Sequence, residues 1–534
     1  MKLIDSPAVI NEDFPDYLRD ESRMTAPRID ALAWPENEAD IIEALALARG
    51  NSWPVTISAG RTGICGAAVP MCGGMLLSVE KLNGITGIAR GAIGGEWILT
   101  LQAGVTLQTI NDCLQHNDFD AFTSAWSQES LDALEQIREQ ALRLFYPPVL
   151  TELTAEIGGT AATNASGART FKYKATRDWT RRIRVILADG SVLDLKRGDV
   201  HADESGRLSL PVRAPDGSAR TVEIALPRVA MPATKHVAGY YATPGMDAID
   251  LFIGSEGTLG VITELDIALI PRTKETYAIT VFFDDEKPAV DFTDALRNAA
   301  RGGVLDIESI EFTGRRALDL LHRRHEQGDP KIPDFPATAG AAILFEVAFN
   351  PETMEEEYGL VERYLACSGV STDQVWAGTT DEEIRQMKEF RHAVPETINQ
   401  IIGERKRSMP ALHKIATDLA VPDDKLHEMM DYYKATLEAA GIEYYVFGHI
   451  GNSHLHVNMV PRNEGELEKS KELYRAFAAK SVSLGGTVSG EHGVGKLKRD
   501  FLGIMFGEDG IAQMKAVKRA LDPEGMLGKG TLFG

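Results

Sequence analysis

Cysteine is scarce. The chain has four in 534 residues, Cys65, Cys72, Cys113 and Cys367, with no C-x-x-C pair among them. That scatter excludes an iron–sulfur cluster ligated within this chain and leaves free thiols. Long apolar runs are missing too. No stretch reaches the roughly 18 residues of a membrane span, and the N-terminus MKLIDSPAVINEDFPDYLRD lacks the basic start and apolar centre of a signal peptide. A cytoplasmic protein is expected, at most peripheral to a membrane. Positive charge is short: 56 Lys and Arg against 78 Asp and Glu leave a net charge of −22, which repels nucleic acid and anionic lipid at long range. An anionic substrate would need a local basic pocket.

What remains is the balance of an ordinary globular protein, 44% hydrophobic and 25% charged with 49 Gly and 24 Pro. A chain of this length forms two or more packed units. Apolar positions at helical spacing over 34–48 precede a short buried strand at 53–58. Further strand-like runs at 75–79, 97–102, 184–187, 191–195 and 251–253 indicate a mixed α+β unit up to about residue 271. Residues 127–144 (SQESLDALEQIREQALRL) carry a charged amphipathic helix pattern, expected to be a peripheral insertion. From about residue 275, strands at 277–283, 341–349 and 444–459 alternate with longer helices, which predicts a second unit with an antiparallel sheet. No internal repeat is found.

Three glycine-dense segments carry the first chemistry. Residues 58–70 (SAGRTGICGAAVP) run from a strand into a loop whose Gly60, Gly63 and Gly66 can turn backbone N–H groups toward one spot, a nest that suits a pyrophosphate. Residues 157–169 (IGGTAATNASGAR) and 254–263 (GSEGTLGVIT) combine glycine with small polar residues and permit close approach to a flat or anionic ligand. In order and spacing the three segments resemble the vanillyl-alcohol oxidase and p-cresol methylhydroxylase superfamily of FAD proteins. The resemblance implies an α+β fold: an FAD-binding domain over 1–271 made of two α+β subdomains, with the insertion near 127–144. A C-terminal substrate (cap) domain follows over 272–534, an antiparallel sheet flanked by helices whose last segment returns to the FAD. It implies FAD contacts at Ser58, Gly60, Arg61, Thr62, Gly63, Gly66, Gly158, Gly159, Thr163, Asn164, Gly167, Glu256, Gly257 and Ile262. Some members tether FAD through a histidine of the first loop; residues 58–66 contain none, so non-covalent FAD is expected. Arg61 stands where the family usually has glycine, and ALDPEGMLGKGTLF near the C-terminus lacks its usual Asn-Pro-Gly-Lys ending.

The second chemistry is a histidine cluster. In YYVFGHIGNSHLHVNMV (444–460) an extended strand puts His454, His456 and Asn458 on one face and Leu455, Val457 and Met459 on the other, with His449 in the preceding turn. Three histidines within eight residues, from 12 in the chain, point to a site more than to separate core residues. The segment GGTVSGEHGVGKLK (485–498), read as a short strand ending in Glu491-His492, would complete it. Two histidines and a carboxylate suit a catalytic zinc, and iron or manganese equally. The same segment satisfies G-x-x-x-x-G-K over 490–496, but Leu497 replaces the Ser/Thr hydroxyl that a nucleotide triphosphatase needs for magnesium.

These phrases resemble the superfamily branch of D-lactate, glycolate and D-2-hydroxyglutarate dehydrogenases, whose signatures are GHxGxxxLHxN and GEHGxGxxK. The resemblance implies His449, His456 and Glu491 as metal ligands, His492 as general base, Asn458 as a substrate contact, and Arg391 and Lys414 as the carboxylate-binding cations. Asn452-Ser453-His454 replaces the family's Asp-Gly-Asn, so His454 either adds a ligand or alters specificity; altered specificity is the expectation. The implied reaction is FAD-dependent oxidation of a small D-2-hydroxy acid with a divalent metal, zinc before iron or manganese. Electrons pass to a separate acceptor protein or a quinone, and a homodimer is the oligomer considered. Two rivals share the flavin loops: an alkyl-dihydroxyacetone-phosphate synthase-like transferase and a flavin-carrying electron-transfer subunit.

Overall fold

A computed structural model describes residues 1–92, 95–148 and 150–533. Among them the strands form three sheets. In the first, Lys2–Ile4, Ala31–Trp34, Met75–Ser78 and Val55–Ser58 lie side by side, and the last three are parallel. The helix Glu38–Gly50 crosses from Ala31–Trp34 to Val55–Ser58, and Met75–Ser78 inserts between those two parallel strands. The helix expected over 34–48 therefore starts later than predicted. Asn37 caps it by accepting from Asp40 N at 3.0 Å, and Trp34 ends the preceding strand.

The second sheet is eight-stranded. Val261–Pro271 lies at its centre between Thr180–Ile186 and Trp97–Gln102, antiparallel to both. The strand expected at 251–253 is a helical turn, Ile249–Phe252, started where Asp247 accepts from Ile249 N. A short buried apolar run cannot distinguish the two conformations by periodicity. The 127–144 segment forms the helix Gln128–Glu139. It is not peripheral, because Leu134 and Ile137 enter the main core while Trp126 just before it donates to Ile85 O at 2.7 Å.

The third sheet is also eight-stranded, and all its strands come from residue 275 onward. Its centre runs Glu275–Phe283, Ala341–Phe349, Ile307–Gly314, Tyr444–His449 and His454–Met459, each antiparallel to the next. The helix Asp381–Ser408 flanks it and carries Arg391; Pro395 within it has no N–H to give the carbonyl of Arg391. The C-terminal segment leaves this half and returns to the first sheet, where Val55 N donates to Met526 O and Gly528 N to Val55 O, both at 2.8 Å. No helix among the described residues is long and apolar enough to cross a membrane.

Candidate active site

The three glycine loops and the histidine cluster line one cleft of about 480 Å³. Gly60, Arg61, Thr62, Gly63, Gly158, Gly159, Thr163, Gly167, Glu256, Gly257 and Ile262 form one part of its wall, and Arg391, His449, His456, Glu491 and His492 another. Glycine is needed where the loops touch. A Cβ on Gly158 would fall 2.5 Å from Ala103 Cβ, and one on Gly60 would fall 2.8 Å from the Thr154 carbonyl. Left-handed backbone turns the other loops, at Arg61 (φ 57°), Glu256 (52°) and Gly257 (71°). Arg61 thus keeps a glycine-like conformation, and its guanidinium lies 4.2 Å over the Tyr17 ring. Ser58, Gly66 and Asn164 shape the loops without lining the cleft. Ser58 is fully buried, the Gly66 carbonyl accepts from Lys496 Nζ, and Asn164 ends the helical turn Ile157–Thr163 while accepting from Arg177 N.

The hairpin register brings the histidines together. His449 pairs with His454 and Phe447 with His456, so adjacent strands present imidazoles to the same point. His449 Nε2 and His456 Nε2 each lie 3.2 Å from Glu491 Oε1. Bonds of about 2.0–2.1 Å to a tetrahedral ion put donor atoms roughly 3.3–3.4 Å apart, so this donor set fits a divalent metal. Behind it, Glu311 accepts from His449 Nδ1 at 2.6 Å and pairs with Arg391 at 2.5 Å. Such a partner fixes the tautomer that leaves Nε2 free. Burial would raise the Glu311 carboxyl, yet Arg391 and His449 outweigh it and hold it at about 2. Likewise His449 and Lys235 overcome burial at Glu491 and keep it well below the ordinary carboxylate range.

Contrary to the strand reading, 485–498 is a loop whose one β-bridge joins Thr487 to Ala420. It is held from three sides. Asp418 accepts from the backbone N–H groups of Glu491 and His492 at 3.2 and 3.1 Å, and from Ser489 Oγ and Lys498 Nζ at 2.7 Å. Glu256 accepts from Val494 N at 2.8 Å and Gly495 N at 2.7 Å, and the Cys65 carbonyl accepts from Lys496 N. Lys496 itself is spent on the Gly66 and Ala67 carbonyls and Thr531 Oγ1, a structural use of the apparent phosphate-loop lysine. The glycine loops and the Glu491-His492 pair are therefore one braced unit. In Glu256→Gln an amide N–H would face a backbone N–H, and we expect a loss of about 1–3 kcal/mol, read as a lower denaturant midpoint. An unchanged midpoint would remove Glu256 as the brace.

His492 Nδ1 lies 3.4 Å from Asp418 Oδ1, and desolvation pushes its imidazole down to about 4 against the pull of that carboxylate. The ring is thus neutral and able to accept a proton. Two expected residues stand apart from the cleft wall. Asn458 is buried with its amide toward the His456 carbonyl, and Lys414 is partly buried just before the strand Ile415–Ala416. Burial pushes the Lys414 ammonium down, and no carboxylate among the described residues pairs with it.

Sequence reasoning missed Asp418, Glu311 and Lys235, the last paired to Glu491 Oε2 at 2.6 Å. Asp418 had a signal, a lone acid inside the apolar run KIATDLAVP. Glu311 and Lys235 had none, because their partners lie 138 and 256 positions away.

Two family models, several relatives and solved structures match this chain. A family described as "FAD linked oxidases, C-terminal domain" matches residues 272–532, and one described as "FAD binding domain" matches 29–128 and 129–196. Glycolate oxidase subunit GlcD of Bacillus subtilis is 25% identical over 94% of this chain and 89% of its own length. D-lactate dehydrogenase of Archaeoglobus fulgidus is 27% identical over 99% of both chains. D-2-hydroxyglutarate dehydrogenase of Xanthomonas citri is 24% identical over 98% of this chain and 93% of its own. Among solved structures, an alkyldihydroxyacetonephosphate synthase superposes with a TM-score of 0.58 at 14% identity, covering 94% of this chain and 76% of that one, a likeness of fold alone. The chain belongs to the FAD-linked oxidases: an oxidoreductase built from an FAD-binding domain and the FAD-linked oxidase C-terminal domain.

Proposed function

We propose that this protein oxidises a small D-2-hydroxy acid to the 2-oxo acid, with non-covalent FAD and a divalent metal held by His449, His456 and Glu491. The observation that carries the reading is the single cleft shared by the flavin loops and the histidine cluster. When bound, FAD supplies a hydride acceptor for C2 of the substrate, and the metal supplies Lewis acidity toward the 2-hydroxyl. The chain's own residues do the rest. Neutral His492 takes the hydroxyl proton, and Asp418 behind it stabilises the charge that forms. Loss of that proton and of hydride from C2 balances the two-electron oxidation.

Arg391 binds the substrate carboxylate from the cleft wall, sharing its guanidinium with Glu311. Lys414, a half-buried cation with no counter-ion among the described residues, stands outside the cleft wall and adds to the field at longer range, and Asn458, its amide on the His456 carbonyl, supports the strand that carries His456 instead of touching substrate. These cations supply the local positive field that the overall charge of −22 opposes. A separate acceptor protein or a quinone would be needed to reoxidise bound FAD.

The test is anaerobic absorbance at the flavin band during addition of D- and L-2-hydroxy acids, before and after chelation. Bleaching by one D-acid, lost with chelator and restored by a divalent metal, is expected. Flavin that stays oxidised with every acid would favour the transferase or the electron-transfer subunit, and release of fatty acid from an acyl-dihydroxyacetone phosphate would separate those two.

A further inference from the structure

We propose that His454 is a fourth protein ligand to the metal, through Nδ1, an assignment that rests on the metal reading above. His454 is fully buried, and its Nδ1 has no hydrogen-bond partner among the described residues. Buried polar atoms are paired as a rule, so an orphan at a donor cluster needs a partner. The ligand atoms of His449, His454, His456 and Glu491 all lie within 4.8 Å of one another.

The tautomer follows from chemistry. His454 Nε2 stands 2.9 Å from Asp418 Oδ1, and a carboxylate held ionised by Lys498 only accepts. The proton is therefore on Nε2, and the lone pair is on Nδ1. A carboxylate behind one ring nitrogen and an ion before the other is the arrangement that orients metal-bound histidines. Gly490 keeps the ring in place, since a Cβ there would fall 2.8 to 3.0 Å from three ring atoms of His454.

Nδ1 lies 3.9 Å from Glu491 Oε2, the oxygen that Lys235 holds, so His454 faces the same carboxylate whose Oε1 stands 3.2 Å from His449 and His456. Four protein donors would close a tetrahedral ion to substrate. An ion that also takes the substrate hydroxyl would then need a fifth position, which zinc, manganese and iron(II) can each supply.

The test uses full-length, flavin-loaded protein charged with zinc as the probe. X-ray absorption counts the imidazoles around the ion from their outer-shell scattering, and chelator competition gives the affinity. Three imidazoles are expected in the wild type and two in His454→Asn, with affinity lowered about 10- to 100-fold or more. Two imidazoles in the wild type would overturn the ligand while leaving the metal reading intact. That count needs no variant, so a misfolded His454→Asn does not obscure it. Failure of the wild type to bind zinc, manganese or iron(II) would overturn the metal reading and the fourth ligand together.

Discussion

Replacing His492 with alanine is expected to slow anaerobic flavin reduction by the D-2-hydroxy acid by about 10²–10⁴-fold while FAD stays bound. The size follows from what is removed. His492 is the neutral imidazole on the cleft wall, and without it the hydroxyl proton has no acceptor held by Asp418. FAD should be retained, because the backbone groups that anchor this loop to Asp418 and Glu256 need no His492 side chain. The metal should stay for the same reason, since His449, His456 and Glu491 keep their geometry. Rapid-mixing absorbance measures the rate, and the ratio of flavin to protein absorbance measures retention. Reduction at the parent rate would remove His492 as the base.

Asp418→Asn is expected to cost about 3–5 kcal/mol of stability, the usual result of breaking a buried ion pair from one side. Asp418 is 1% exposed and accepts from Lys498, Ser489, His454 and two backbone N–H groups. An amide nitrogen in place of one oxygen would meet a donor on either side. Lys498 is buried too. Burial disfavours its ammonium, but Asp418 more than compensates, so the variant would leave that charge without an anion. Adding Lys498→Met should recover part of the loss, because a neutral pair of similar shape leaves no buried charge. Denaturant unfolding measures both variants. A midpoint shift equivalent to less than about 0.5 kcal/mol for Asp418→Asn would show that the network does not hold the loop.

The legible part of the protein was the part written in short segments. Glycine loops at 58–70, 157–169 and 254–263, and the phrases around His449 and Glu491, can be read locally because a nest or an alternating strand needs only neighbours along the chain. Elements whose form depends on distant partners were misread. LFI at 251–253 reads as a strand, yet Asp247 starts a helical turn there. The 485–498 segment reads as a short strand, but it is a loop whose anchors are the distant Asp418, Glu256 and Cys65. The 127–144 helix looked peripheral because its charged face dominates the pattern, while Leu134 and Ile137 bury the other face.

Composition, spacing and the histidine phrases by themselves determined the α+β organisation and the residues with chemistry to offer, and the resemblance those segments carry implied the flavin. Only the tertiary structure decided which of them meet. It set Glu311 behind His449, Lys235 on Glu491 and Asp418 beneath the Glu491-His492 pair, and it turned the orphan nitrogen of His454 toward the same point. Hydrogen bonds and ion pairs are short-ranged, so their partners follow from proximity in the fold, which separation along the chain does not record.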